Sequence, residues 1–354
     1  MRFIPLLLLC PLPASGLLPA VGHVEIAPTY QSTNQTWSWS SYWYDDDLNE
    51  RTDLISTLFL PGLNRFYDTE DAGNPENLGC KWLRPPGSNW DFMGVDEDEP
   101  VWIYSDTALA SAGFQANPAN LTGNMHFTLT AVEGPVGGHF SMFFGSAPLV
   151  FMKTIDGIDS SDVLPKPSSH YHTSWAFSRK GLWIISLKVR GTLKSSNTPT
   201  TESAPQPLVF AIGDLAMWRA SHFDVPALRD PAISGDDADP DQDGVPNLLE
   251  YSLGGHPLVA STHREEDALP LAPELIPPAT NSAPWRFRYL MRDFIDDPDV
   301  SHQVESSTDL TAATWQTTTA TPEVIDIGGG WRQITVSLPS GSHRFARLRV
   351  VATD

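Results

Sequence analysis

The chain has 354 residues, 41% of them apolar and 10% aromatic with 12 Trp. That length and apolar share suit two folded domains and exclude a disordered polymer. The formal net charge of −21 argues against nucleic acid as a partner, because phosphate binding needs a surplus of Lys and Arg, and it suits cation binding instead.

The N-terminus reads as an export signal. Arg2 gives a positive start, Phe3 to Leu9 with Leu12 form an apolar stretch, and the small residues Ala14, Gly16 and Ala20 follow. A signal peptide over 1–20 is expected, and with it an exported protein of the extracellular space, cell surface or periplasm. Cys10 after the leucines raises a lipid anchor, but Leu9 just before it is not the small residue such an anchor wants. No later segment approaches the ~20 apolar residues that span a bilayer, so no transmembrane segment is expected. With the signal removed, Cys80 is the only cysteine and reads as a small buried residue.

Residues 21–215 predict one β-sandwich domain of immunoglobulin-like type. Its 31 Pro and 25 Gly across the whole chain favour turns over long helices. The aromatic run Trp37-Ser-Trp39-Ser-Ser-Tyr42-Trp43-Tyr44 precedes Asp45 to Asp47. It reads as core packing first, and as a sugar-stacking platform second. His126 to Val132 alternates as a strand does and breaks at Glu133-Gly-Pro135. In Ser169-His-Tyr-His-Thr-Ser-Trp-Ala-Phe177, Tyr171, Thr173, Trp175 and Phe177 share one strand face, and His170 and His172 share the other. Two imidazoles two residues apart can hold one transition metal ion, zinc or manganese. His23 is the candidate third ligand, with Glu25 on its own face. A half-exposed strand surface gives the same pattern. Trp183, Ile185, Leu187 and Val189 form one face of a strand over 181–190, the polar run 191–207 reads as a hairpin loop, and 208–213 reads as the returning strand.

Residues 216–238 read as a linker, first mixed and then acidic. Asp239-Pro-Asp241-Gln-Asp243-Gly244-Val245-Pro246-Asn247-Leu-Leu-Glu250 then fits a calcium loop position by position. Carboxylates stand at positions one, three and five, with glycine at six for the turn. The Val245 carbonyl falls at seven, Asn247 at nine and the closing Glu250 at twelve. Asp237, Ala238 and Pro240 argue against an entering helix, so the expected role is structural, with a short exit helix ending at Gly254-Gly255. The loop and helix occupy 239–257, a Pro-rich linker 258–282, and a small C-terminal β-sandwich 283–354. In the last of these, Trp285, Phe287 and Tyr289 alternate, as do Ile334, Val336 and Leu338, and Ala346, Leu348 and Val350. A unit of that size has a marginal core unless a neighbour docks on it.

Several motifs in order carry a resemblance: Gly22-His-Val-Glu-Ile26, Pro100-Val-Trp102, Leu129-Thr-Ala-Val-Glu-Gly-Pro135, His170-Tyr-His172-Thr-Ser-Trp-Ala-Phe177 and Gly181-Leu-Trp183. Together they resemble the bacterial surface-anchored repeat domain of choice-of-anchor M type. Glu25 stands where the family pattern has Asp. The resemblance implies an exported, cell-surface β domain and places His23, His170 and His172 at family motif positions. Residues 239–257 resemble a bacterial thrombospondin type 3-like calcium repeat. Val304 to Leu310 with Trp315 and the closing Phe345 to Arg349 resemble a small C-terminal β module of secreted bacterial proteins.

Enzyme signatures such as Gly-x-Ser-x-Gly, His-Glu-x-x-His, the P-loop and the Rossmann glycines do not occur in the sequence. The chain therefore reads as a non-enzymatic exported binding protein, with calcium as a structural ion and metal ions, surface glycans or other proteins as partners. Two alternatives stand beside it: a carbohydrate-binding protein using the aromatic run, and a secreted hydrolase with paired carboxylates.

Overall fold

A computed structural model describes residues 18–20, 23–43, 51–53, 57–59, 81–104, 111–265, 269–280, 283–292, 300–311, 314–339 and 345–352. The strands 18–20, 51–53 and 57–59 and residues 23, 42, 43 and 111 are described by backbone alone. The protein is mainly β and divides into two compact units, one ending at Asp224 and one beginning at Val225. Cys10, Tyr44 to Asp47 and Cys80 lie outside the described residues, as does most of the predicted export segment. Its last residues, Leu18–Ala20, pair in parallel with Thr57–Phe59.

The first unit builds a sandwich-like core from three sheets. The longest strands are Leu121–Glu133 and Gly181–Leu193, and they pair antiparallel within a six-stranded sheet. Gly181–Leu193 also pairs antiparallel with the returning strand Gln206–Ile212, in the register Trp183 to Phe210 and Ile185 to Leu208. The expected alternation holds on the inner face, where Trp183, Ile185, Leu187 and Val189 are buried. The outer face is buried too at Ile184, Val209 and Ala211, because helix α1 (Asp214–His222) packs on these two strands. That double burial explains the unbroken apolar run Leu208 to Ile212.

A second sheet orders the strands Tyr171–His172, Ser111–Phe114, His23–Ile26, Ser40–Trp43 and Arg51–Asp53; a third orders Leu149–Lys153, Phe140–Phe144, Ser174–Phe177, Pro100–Tyr104 and Lys81–Leu83. The segment 170–177 therefore crosses between sheets at Thr173. Aromatic rings from all three sheets meet at the centre. Phe210 lies 5.1 Å from both Trp175 and Phe177 and 6.2 Å from Tyr104, and Trp175 stacks on Phe114 at 5.9 Å. The Trp175 indole N–H is not stranded by this burial: it donates to the Ala112 carbonyl at 3.0 Å. The Val-Glu-Gly-Pro turn lies flat on Trp183, where a Cβ at Gly134 would come within 2.4 Å of the indole and one at Gly138 within 2.7 Å.

The second unit starts with two short helices, α2 (Val225–Leu228) and α3 (Pro231–Ser234), within the stretch that composition reads as a linker. The acidic and proline residues there act as helix starts: Asp230 accepts from the Ala232 N–H at 2.9 Å, with Pro231 following it. Helix α4 (Asn247–Leu253) begins within the 239–250 loop and ends at Gly254 in the left-handed region, φ 88°. Two sheets follow. One orders Glu274–Ile276, Arg286–Arg292, Trp331–Ser337 and Glu323–Gly328; the other orders Gln316–Thr317, Val300–Ser307 and Phe345–Ala352. Leu253 of α4 is buried in one cluster with Leu271, Phe287, Tyr289, Val304, Ile334, Val336 and Leu338. So the exit helix supplies the docked neighbour that the small β unit needs. Ser252 hydrogen-bonds His302 Nε2, and the Arg292 Nε donates to the Tyr251 carbonyl at 3.1 Å, which ties α4 further to this unit. No helix among the described residues is long and apolar enough to cross a membrane.

The aromatic centre of the first unit sets a measurable cost. Phe210→Ala is expected to destabilise by about 3–5 kcal/mol, the range for emptying a packed aromatic site. Chemical denaturation with an unchanged slope would read it, and a loss under about 1 kcal/mol would place the core elsewhere.

Candidate metal centres

The loop 239–250 converges as its spacing predicts at the aspartates. Oxygen atoms of Asp239, Asp241 and Asp243 lie within 4.8 Å of one another. Backbone N–H groups hold them: Gly244 donates to Asp239 Oδ2 at 3.0 Å, Asp243 to Asp241 Oδ1 at 3.2 Å and Val245 to Asp243 Oδ1 at 2.8 Å. Gln242 and Gly244 take the left-handed conformation, φ 62° and 90°, and this reverses the chain around a common centre. Asp243 Oδ2 also accepts from the Ser261 N–H at 3.1 Å, which draws the following segment onto the loop.

Asn247 and Glu250 are buried, at 0% and 1% exposure. Both Asn247 amide hydrogens are used, since Nδ2 donates to the carbonyls of Ile233 at 2.8 Å and Gly235 at 2.9 Å. The orientation of the amide is thereby fixed, and its oxygen is left over. Five buried oxygens of the loop receive no hydrogen bond: Asp239 Oδ1, Asp241 Oδ2, Asn247 Oδ1 and both Glu250 oxygens. Burial pushes the Glu250 carboxyl up to about 8, with the charges of Asp241, Asp243, Asp239 and Glu265 adding to it. Burial is also the main cause that raises the Asp241 carboxyl. Unmet carboxylates of this kind cost free energy, and a cation at their centre removes that cost. All the donors are oxygens, the set a hard divalent ion takes.

The second cluster joins Glu25, His170 and His172 in the first unit. Glu25 is fully buried, His172 is 13% exposed and His170 is 45% exposed. Glu25 Oε1 contacts His170 Nε2, and lies 3.2 Å from His172 Nε2. The two Nε2 atoms are 3.0 Å apart, with the rings perpendicular at 89°. Gly113 sits between these residues in the sheet. It is paired with Glu25 on one side and with His172 on the other. A Cβ there would lie 2.6 Å from His172 Cε1 and 2.8 Å from Glu25 Oε1, so only glycine lets the two side chains meet.

Lys166 anchors the loop that carries His170. Its buried Nζ donates to the carbonyls of Gln115 at 2.9 Å, Pro167 at 2.8 Å and Ser169 at 3.0 Å. Burial pushes this amine down to about 8, and the Glu25 charge works in the opposite direction.

His170 and His172 are thus brought together as their spacing predicts, and Glu25 joins them. His23 stands two residues before Glu25 on the same strand, and its side chain lies outside the described residues. Sequence reasoning missed Gly113 and Lys166, because neither belongs to a ligand motif: strand register reveals the first, and the hydrogen bonds of a buried amine reveal the second. Of the aromatic run, Trp37 and Trp39 are half-buried against the core, and the Trp37 indole N–H donates to the Thr201 carbonyl at 2.8 Å. Compared with protein-family models and with curated proteins, the chain matches none.

Glu250 sets a pH dependence with a definite sign. Its folded carboxyl titrates near 8 against an ordinary 4.5. The stability it leaves intact is therefore fully present below about 4.5 and lost as pH rises to about 8. His302, pushed down to about 4 by burial, acts oppositely and at lower pH, costing stability as pH falls from 6.5. In chelator, the thermal midpoint of the second unit should fall between about pH 6.5 and 8, and Glu250→Gln should flatten that slope. An equal slope in the variant would show that Glu250 does not carry it.

Proposed function

We propose that the chain is an exported bacterial binding protein of the extracellular space or cell surface, without enzymatic activity, in which calcium bound at residues 239–250 holds the second unit together. The observation that carries this reading is the set of buried loop oxygens that no donor meets, those of Glu250 and Asn247 among them. Asp239, Asp241, Asp243, Asn247 and Glu250 would supply side-chain oxygens, and Val245 its carbonyl. Calcium suits the oxygen-only set and the acidic loop, and it is abundant outside cells, where a Kd on the order of 10⁻⁴–10⁻³ M is sufficient. The apolar start of the chain and the net charge of −21 support export and solubility in that setting. The β-rich first unit would present the surface that meets glycans or proteins.

The role of the ion is structural. Helix α4 begins inside the loop and ends in the core of the second unit, so a cation that fixes Asn247 and Glu250 also fixes Leu253. A ligand that binds only the folded form stabilises by about 2.7 kcal/mol at a hundred times its Kd. Calcium at that excess should raise the thermal midpoint of the second unit and suppress proteolysis across 225–282. Asp241→Ala and Glu250→Gln should both abolish the gain. Identical melting and cleavage in calcium and in chelator would refute the proposal.

A further inference from the structure

We infer that Glu25, His170 and His172 form a zinc site with an exchangeable fourth position, separate in place and chemistry from the calcium loop. The inference begins with strand register. Gly113 lies opposite Glu25 in the parallel pair and opposite His172 in the antiparallel pair, so the three stand in one row across the sheet. Neighbouring strands are about 4.8 Å apart, which leaves Glu25 and His172 roughly two such spacings from each other. Their side chains meet only by leaning over the bare Gly113 backbone, into the space a Cβ would fill. Val24, Ile26, Ala112 and Phe114 turn into the core, so Gly113 leaves the opposite face of the sheet bare between Glu25 and His172. His170 closes over the same point from the loop that Lys166 ties to Gln115, Pro167 and Ser169.

The three facing atoms form a closed triangle, Glu25 Oε1 with the two Nε2 atoms. Protons alone satisfy it poorly. With both Nε2 atoms protonated, each can donate to Glu25, but two N–H groups then face each other across 3.0 Å. With one protonated, the bare nitrogen turns its lone pair toward a carboxylate oxygen. While Glu25 is ionised, one edge is repulsive in either case, because each nitrogen carries at most one hydrogen and the carboxylate carries none. A single cation inside the triangle makes all three edges favourable.

Zinc fits the dimensions and the donors. Tetrahedral zinc with ligands at about 2.0–2.1 Å places neighbouring ligand atoms about 3.3 Å apart. Two of the three edges, at 3.0 and 3.2 Å, lie close to this, and the Glu25–His170 contact is closer. Two imidazoles and one carboxylate suit a borderline ion such as zinc, whereas calcium prefers oxygen alone. Burial is graded from Glu25, fully enclosed, to His170, nearly half exposed. The fourth position therefore opens to solvent on the His170 side, where water or an incoming donor group can bind and the ion can exchange.

The test uses the full chain, zinc as the probe, and saturating calcium throughout so that the acidic loop does not compete. Titration against a chromophoric chelator should give one zinc per chain. His170→Ala, at a half-exposed position, should keep the fold and weaken zinc by more than about 100-fold, since even partners that merely orient a ligand are worth about 10–100-fold. Gly113→Ala should weaken it as well, and Glu250→Gln should leave it unchanged. The cobalt(II)-substituted protein should show the intense visible bands of a four-coordinate ion, lost in His170→Ala. Absence of zinc uptake by the wild type, or equal uptake by a folded His170→Ala chain, would overturn the inference. Preference for manganese over zinc at equal concentration would overturn the choice of metal.

Discussion

A carboxylate taken out of water must be met by donors or by opposite charge, and among the described residues Glu25 is the most deeply buried one in the first unit and Glu250 in the second. Glu250 is 1% exposed and Glu25 is fully enclosed. An isolated buried carboxylate is costly enough that it would sooner bind a proton than stay charged. Neither residue is isolated, however. Glu250 feels the charges of three aspartates whose oxygens converge, and Glu25 faces two imidazoles across a glycine. Both surroundings are built by backbone features that have no other evident use: a loop reversed through two left-handed residues, and a strand whose central residue has no side chain.

The two surroundings differ in ways that separate their chemistry. The loop offers oxygens only and sits at the start of a helix that enters a core, so whatever fills it acts on the fold. The histidine cluster lies on the face of its sheet turned away from the core in which Trp175, Phe114 and Phe210 interlock. The two clusters belong to different units, so substitutions in one leave the residues of the other in place.

Much of this was legible in the sequence where periodicity and spacing are local. The strand face Trp183 to Val189, its hairpin return and the helix closed by Gly254 all follow from short-range patterns. The aspartate convergence is legible for the same reason, since the loop folds upon itself. Register between distant strands was not legible. Gly113 is an ordinary glycine until strand pairing sets it between Glu25 and His172, residues 88 and 59 positions away in the chain. Composition also misled at 216–238, where acidic and proline residues suggest a linker but start short helices instead, because the same side chains that avoid cores also cap helix ends. Likewise the Pro-rich stretch 258–282 contributes Leu271 to a core and Glu274–Ile276 to a sheet.

The choice of Glu rather than Asp at position 25 follows from the same row of residues. Glu25 and His172 stand on strands that flank a third, and each must reach about one strand spacing inward to meet over the glycine. An imidazole on its Cβ covers that reach through Nε2, its distal nitrogen, which is the atom His172 presents. The carboxylate partner needs matching length. Aspartate is shorter by one methylene and would hold its oxygens back over its own strand, and a larger residue at 113 would keep either side chain from crossing. Glutamate, glycine and a histidine presented through Nε2 are thus one geometric solution: the length of the first and last is what the bareness of the middle residue makes room for.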